Sequence, residues 1–116
     1  MSEGWPLHPT PYDHELLSQW IRRIAKVYGV SYYDFCQRVL GLDRIERLHL
    51  DYQPSEKTLD ILSKGTRQPI ELLRERNVTA QSHLIEKELE KGGSGDPELI
   101  WKITKNLAGE GWPLPI

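Results

Sequence analysis

The sequence predicts an all-α protein: a compact bundle of about five short helices containing a helix-turn-helix, continued by a C-terminal helical extension. Three observations carry this. Apolar residues recur at three-four spacing along most of the chain. Gly, Pro, Ser and Asp punctuate that pattern where helices start and stop. The two segments on either side of Gly29-Val30-Ser31 meet across a tight turn, as in a helix-turn-helix.

The first segment shows the pattern best. Leu16, Leu17, Trp20, Ile21, Ile24 and Tyr28 lie on one stripe of a helix within Asp13 to Tyr28, and Gly29 is suited to the left-handed conformation that ends it. Ser31, with Asp34 three residues on, is a candidate N-cap for a second helix, although Asp is a weaker capping-box partner than Glu. That helix carries Tyr32, Phe35, Cys36, Val39 and Leu40 and stops at Gly41. Two helices across a tight Gly-containing turn are the core of a helix-turn-helix unit, a scaffold for recognition.

Ahead of this unit, Trp5-Pro6-Leu7-His8-Pro9-Thr10-Pro11-Tyr12 predicts an extended arm, because its prolines forbid helix. Trp5, Leu7 and Tyr12 are expected to pin it to the core. Beyond the unit, Asp43 or its neighbours start a short helix over Arg44-Ile45-Glu46-Arg47-Leu48, with Leu42, Ile45 and Leu48 expected to face inward. Asp51-Tyr52-Gln53-Pro54 reads as a loop, and Pro54-Ser55 opens a helix bearing Leu59, Ile61 and Leu62. Gly65 is expected to stop it. Gln68-Pro69 opens the next, with Ile70, Leu72 and Leu73 on its core face.

Residues 1–79 are thus expected to form one domain with its arm, and residues 80–116 a helical extension. In the extension, Ala80 to Lys91 predicts a polar helix with Leu84, Ile85 and Leu89 on one side. Gly92-Gly93-Ser94-Gly95 has the composition of a flexible linker, which native chains and engineered spacers share. Asp96-Pro97 starts a last helix through Leu99, Ile100, Trp101, Ile103 and Leu107, closed by Gly109. One pentapeptide recurs: Glu3-Gly4-Trp5-Pro6-Leu7 and Glu110-Gly111-Trp112-Pro113-Leu114. Five residues are too few for a structural repeat unit; two readings stand, chance or similar local packing on one side and, on the other, two Trp-Pro hooks filling equivalent grooves between two subunits.

Composition narrows the function. No apolar run approaches a membrane span, and the N-terminus lacks the basic and apolar regions of an export signal, so a cytoplasmic location is expected. One cysteine, Cys36, excludes an internal disulfide and a Cys-based zinc cluster, and its place on the apolar side of its helix reads as a buried thiol. His8, His14, His49 and His83 have no metal-ligand spacing, and the Gly-rich stretch lacks the Lys-Ser/Thr of a phosphate loop. Neither an enzyme nor a cofactor is expected.

The net charge of −2 is unusual for a stand-alone nucleic-acid binder, which normally presents a basic surface. Between Asp13 and Arg76, eleven cations stand against ten anions, so any contact with nucleic acid is local. On the second helix, Tyr32, Tyr33, Gln37 and Arg38 are the candidates, since Gln suits adenine and Arg suits guanine. Arg22, Arg23 and Lys26 before it, with Arg44 and Arg47 after it, are candidates for phosphate contact. The same surface also suits a protein partner. Trp101 and Ile103 on the last helix, with Trp112, are candidates for a homodimer contact.

The residues resemble the TniQ family. Pro9-Thr10-Pro11-Tyr12, Glu15-Leu16-Leu17-Ser18-Gln19-Trp20-Ile21-Arg22-Arg23-Ile24-Ala25, Gly29-Val30-Ser31 and Phe35 are similar to its opening pattern. Arg47-Leu48-His49-Leu50-Asp51, Pro54-Ser55, Leu59, Leu62, Gly65, Pro69 to Leu73 and Val78-Thr79 continue the likeness to about residue 80. His14 stands where the family usually has glycine, and Tyr28 where it has asparagine. The cysteine-rich zinc-binding segments common after this domain are missing. The resemblance implies a non-catalytic adaptor in target selection for DNA transposition. Its implied partners are an AAA+ ATPase regulator of the transposase and a target-recognising element, either DNA or an RNA-guided CRISPR effector complex. Two other readings stand beside it: a small autonomous sequence-specific DNA-binding regulator, dimerising through its last helix, and an interaction module without nucleic-acid contact.

Overall fold

The computed structural model describes residues 4–108. Among them seven α-helices and one 3-10 turn occur, with no strand. They are α1 (Leu17–Val27), α2 (Tyr32–Arg38), α3 (Arg44–Leu48), α4 (Glu56–Thr66), α5 (Ile70–Arg74), α6 (Val78–Glu90), the turn Gly92–Ser94, and α7 (Pro97–Ala108). The expected closure at Gly109 and the second hook, Trp112 included, lie outside the described residues.

α1 is the central post. Leu17, Trp20, Ile21 and Ile24 are fully buried, and Phe35, Cys36, Leu40, Leu42, Leu50, Leu59, Leu62 and Leu73 close around them. Each such aliphatic side chain contributes about 1.5–3 kcal/mol by leaving water. The Trp20 indole N–H, buried with its ring, donates to the Pro9 carbonyl at 2.8 Å and so ties the arm to the core.

α1 starts at Leu17 because Asp13 and His14 form a turn, with His14 at φ 63°. This is the position where the resemblance noted glycine, and the left-handed conformation explains that preference. His14 holds it with a hydrogen bond between Nδ1 and Gln81 Oε1 at 3.0 Å. The first turn of α1 is capped from a distance: Asp51 accepts from the Ser18 N–H at 2.9 Å and from the Ser18 hydroxyl. A carboxylate suits that position, since it meets unsatisfied N–H groups at the positive end of the helix.

Several expectations change. α3 begins where predicted, with a full capping box between Asp43 and Glu46, but Ile45 and Leu48 are 64% and 60% exposed. The buried anchors are Leu42 and Leu50, which flank α3 and turn its own apolar pair outward. Gly65 does not stop α4. It lies inside the last turn, and Arg67, left-handed at φ 61°, ends the helix. Glycine is needed at 65 for another reason: the Trp5 indole rests where its β-carbon would be. Leu7 is exposed; the arm is held by Trp5, by backbone hydrogen bonds and by Tyr12, whose ring lies 3.6 Å from the Arg23 guanidinium and whose carbonyl accepts from Arg76 Nη1 at 2.7 Å. On α5 only Leu73 is fully buried, and Leu72 faces out. Leu89 on α6 is likewise exposed.

The Gly-rich stretch is an ordered corner. The Glu88 carboxylate accepts from the Asp96 N–H at 3.0 Å and from Lys91 Nζ at 2.6 Å. Gly95 passes so close to the Glu88 carbonyl that a side chain there would collide with backbone. The corner folds α7 back on α6 and buries Ile103 completely. The end of α7 reaches α1, where Gln19 Nε2 donates to the Asn106 carbonyl at 2.7 Å.

Candidate nucleic-acid and partner interface

The turn between α1 and α2 orients the candidate surface. Gly29 takes φ 70°, the Val30 N–H returns to the Ala25 carbonyl at 3.1 Å, and the Ser31 hydroxyl caps α2 by accepting from the Asp34 N–H at 3.0 Å. Phe35 and Cys36 then face the core, which leaves Tyr33, Asp34, Gln37 and Arg38 exposed.

Side chains from three helices meet here. The Arg22 guanidinium on α1 lies 4.0 Å from the centre of the Tyr32 ring. Tyr32 and Tyr33 meet edge to face at 5.6 Å, and Arg47 on α3 lies 4.6 Å from the Tyr33 ring. The result is a continuous ladder, Arg22–Tyr32–Tyr33–Arg47. Each cation–π contact is worth about 0.5–1 kcal/mol at an exposed site, and it holds a flexible cation at a fixed height above the surface. Tyr32 is half-buried, and burial is the main cause that pushes its hydroxyl far above the ordinary phenol range; the adjacent Cys36 adds to the shift. Burial likewise pushes the Cys36 thiol up. Tyr32 therefore stays a neutral platform, and Cys36 is an inert core residue.

The remaining candidates separate by environment. Lys26, Arg38 and Arg44 are exposed at the rim. Arg23 is committed elsewhere: its Nε and Nη2 each donate to Glu15 at 2.8 Å, Nη2 also donates to the Thr10 carbonyl at 2.8 Å, and its guanidinium stacks 3.6 Å from the Tyr12 ring. The Glu15 hydrogen bond is the largest cause raising the Arg23 pKa above its ordinary value. The geometry gives Arg23 the task of holding the arm. Ile103, expected at a dimer contact, is fully buried against the chain's own helices. Trp101 beside it is 54% exposed.

Next to the ladder the structure exposes what periodicity placed inside. Ile45 and Leu48, three residues apart on one side of α3, are exposed beside Arg44 and Arg47 of the same helix, and Tyr52 after it is exposed too. The sequence signal for this was the capping box at Asp43, which fixes where α3 begins, together with Leu42 and Leu50 as the flanking anchors. On the other side of Arg22, a cleft of about 580 Å³ is lined by Arg22, Lys26, Ser18, Asp51 and Asn106 among others. Its charge is mixed, unlike an anion pocket. Among the described residues no group of three or more His, Cys, Asp or Glu is arranged to hold a metal ion, and no helix is long and apolar enough to cross a membrane.

Compared with known families, residues 6–107 match a family model described as TniQ, and the match runs past residue 80 to the end of α7. No curated protein and no solved structure matches the chain.

Proposed function

Because this chain belongs to the TniQ family, whose role is transposition-associated DNA binding or adaptor activity without catalysis, we propose that it is a protein adaptor in transposition target selection. It links an AAA+ ATPase regulator to a target-recognising element and adds a local contact to nucleic acid. The observation that carries this reading is the outward apolar pair Ile45 and Leu48 on α3, the helix that also carries Arg44 and Arg47. Phosphate contact draws on cations and polar groups, whereas an exposed apolar pair among charges of both signs suits a protein partner with an apolar centre. In this reading residues 1–79 are the domain that carries this surface and residues 80–116 its helical extension, which meets α1 at Asn106. A CRISPR effector complex is one form of the target-recognising element.

A second reading, the autonomous DNA-binding regulator, draws support from exposed Gln37 and Arg38 on α2, the residue types suited to base edges. One experiment separates the two. Ile45→Asp/Leu48→Asp and Gln37→Ala/Arg38→Ala are each titrated with duplex DNA and with an AAA+ ATPase encoded beside the gene. The adaptor reading expects weak DNA binding throughout and loss of the ATPase contact only in the α3 variant. Tight, salt-sensitive DNA binding by the intact chain, abolished by the α2 variant, would establish the regulator instead.

A further inference from the structure

The pentapeptide Glu-Gly-Trp-Pro-Leu occurs at residues 3–7 and again at 110–114. The structure shows what its first copy does from Gly4 onward. Gly4 passes beneath the Arg67 side chain, where a β-carbon would come within 2.6 Å of Nε. The Trp5 indole lies on Gly65 and meets Phe35 edge to face at 5.6 Å, while its backbone N–H donates to the Gly65 carbonyl at 2.6 Å. Pro6 joins Trp5 in walling an apolar groove with Tyr28, Val30, Phe35 and Val39. The Leu7 N–H donates to the Tyr28 hydroxyl at 2.9 Å. The seat thus uses a glycine, an indole, a proline and the N–H that follows it, and Gly111, Trp112, Pro113 and Leu114 repeat all four in the same order.

We propose that residues 110–114 are a second ligand for this seat on the same chain, taking it in alternation with residues 3–7. The reach is sufficient. Asn106 is tied to Gln19, and Tyr28 follows Gln19 by nine residues, about 13 Å along a helix. α7 runs to Ala108, so Asn106 to Ala108 adds about 3 Å of helix, and four residues of extended chain from Ala108 to Trp112 span up to about 14 Å more. Tethering gives the second pentapeptide a local concentration in the millimolar range. The two pentapeptides make the same contacts, so they exclude each other. When residues 110–114 are seated, residues 4–7 are released, while Arg23 still holds the arm at Thr10. The end of the arm becomes a movable element governed by the other end of the chain.

The test uses the full chain and three variants: Trp5→Ala, Trp112→Ala and the double substitution. An indole stacked on Gly65 shifts the Gly65 α-proton resonances by its ring current. The expected result is that this shift persists in Trp5→Ala, persists in Trp112→Ala and disappears only in the double variant. Thermal unfolding follows the same logic: Trp112→Ala alone leaves Tm unchanged but lowers it by several degrees in the Trp5→Ala background. Loss of the shift in Trp5→Ala alone overturns the proposal. A shift in Trp5→Ala that fades between about 1 mM and about 10 μM protein moves the ligand to a second copy and overturns the same-chain assignment. Should Trp5→Ala not fold, a nitroxide on Pro115→Cys in the otherwise intact chain replaces it, because Cys36 is buried and unreactive. Broadening at Gly65 and Tyr28 is then expected, and its absence overturns the proposal.

Discussion

Arg23 and Glu15 face each other in a two-pronged pair, Nε to Oε2 and Nη2 to Oε1, both at 2.8 Å. The Glu15 side chain is 6% exposed and that of Arg23 26%. One residue earlier in α1, Arg22 points to a different neighbourhood and stacks on Tyr32. Adjacent arginines therefore serve different ends, one holding the arm and one shaping the candidate interface.

Arg23→Ala is expected to lower stability by about 1–3 kcal/mol, since it leaves the buried Glu15 carboxylate without its charged partner, with part of the effect screened by water at the exposed edge. Arg22→Ala is expected to stay within about 1 kcal/mol of the intact chain while weakening partner or nucleic-acid binding. Chemical denaturation and a binding titration on both variants check this; equal stability losses would contradict it.

Gly65→Ala places a methyl where the Trp5 ring lies. Helix propensity alone favours alanine by up to about 1 kcal/mol, but overpacking against a rigid indole costs about 1–3 kcal/mol. The expected outcome is a lifted arm: faster proteolysis within residues 4–12 at little change in helix content by circular dichroism. An unchanged cleavage rate would mean the arm is not held at Gly65.

At Gly29, φ is 70° and nothing lies within 4 Å of an added β-carbon. Gly29→Ala therefore meets no clash and reports conformational strain alone, about 1–2 kcal/mol. Gly29→Asn, which tolerates the left-handed region, is expected to cost less. Thermal unfolding of the pair, with alanine the less stable, tests whether the turn is made as described.

The corner between α6 and α7 is expected to weaken in acid. Lys91, first, and the Asp96 N–H hold the Glu88 carboxyl below the ordinary carboxylate range. A folded-state pKa below the unfolded value gives stabilisation that is complete above about pH 4.3 and is lost as pH falls through the lower folded value. Amide exchange at Asp96 is expected to speed up, relative to the core of α1, as pH drops below the ordinary Glu value. Glu88→Gln is expected to remove most of that pH dependence.

Much of the fold was legible because its signals are local. Ser31 and Asp43 act as caps where they were expected, Gly29 turns left-handed, and the stripe on α1 is the core. The failures share one cause: helical periodicity shows which residues lie on a common face but not whether a neighbour covers that face. α3 spans five residues, too short to outweigh Leu42 and Leu50 on either side, so Ile45 and Leu48 point to water. Gly65 reads as a helix stop along the chain, yet it is a gap cut for an indole sixty residues away. The candidate surface divides in the same way. Residue type identified Arg22, Arg23 and Arg47 together, and only long-range contacts separated Arg23 from the other two.

The order of residues alone set the helical class, the bend at 29–31, the caps and the family, because each depends on neighbours within a few positions. Tertiary structure decided which arginine holds the arm, which apolar pair faces water, and why a glycine-rich stretch forms a firm corner. Those outcomes depend on side chains brought together from distant parts of the chain, where the burial of one group determines the exposure of another.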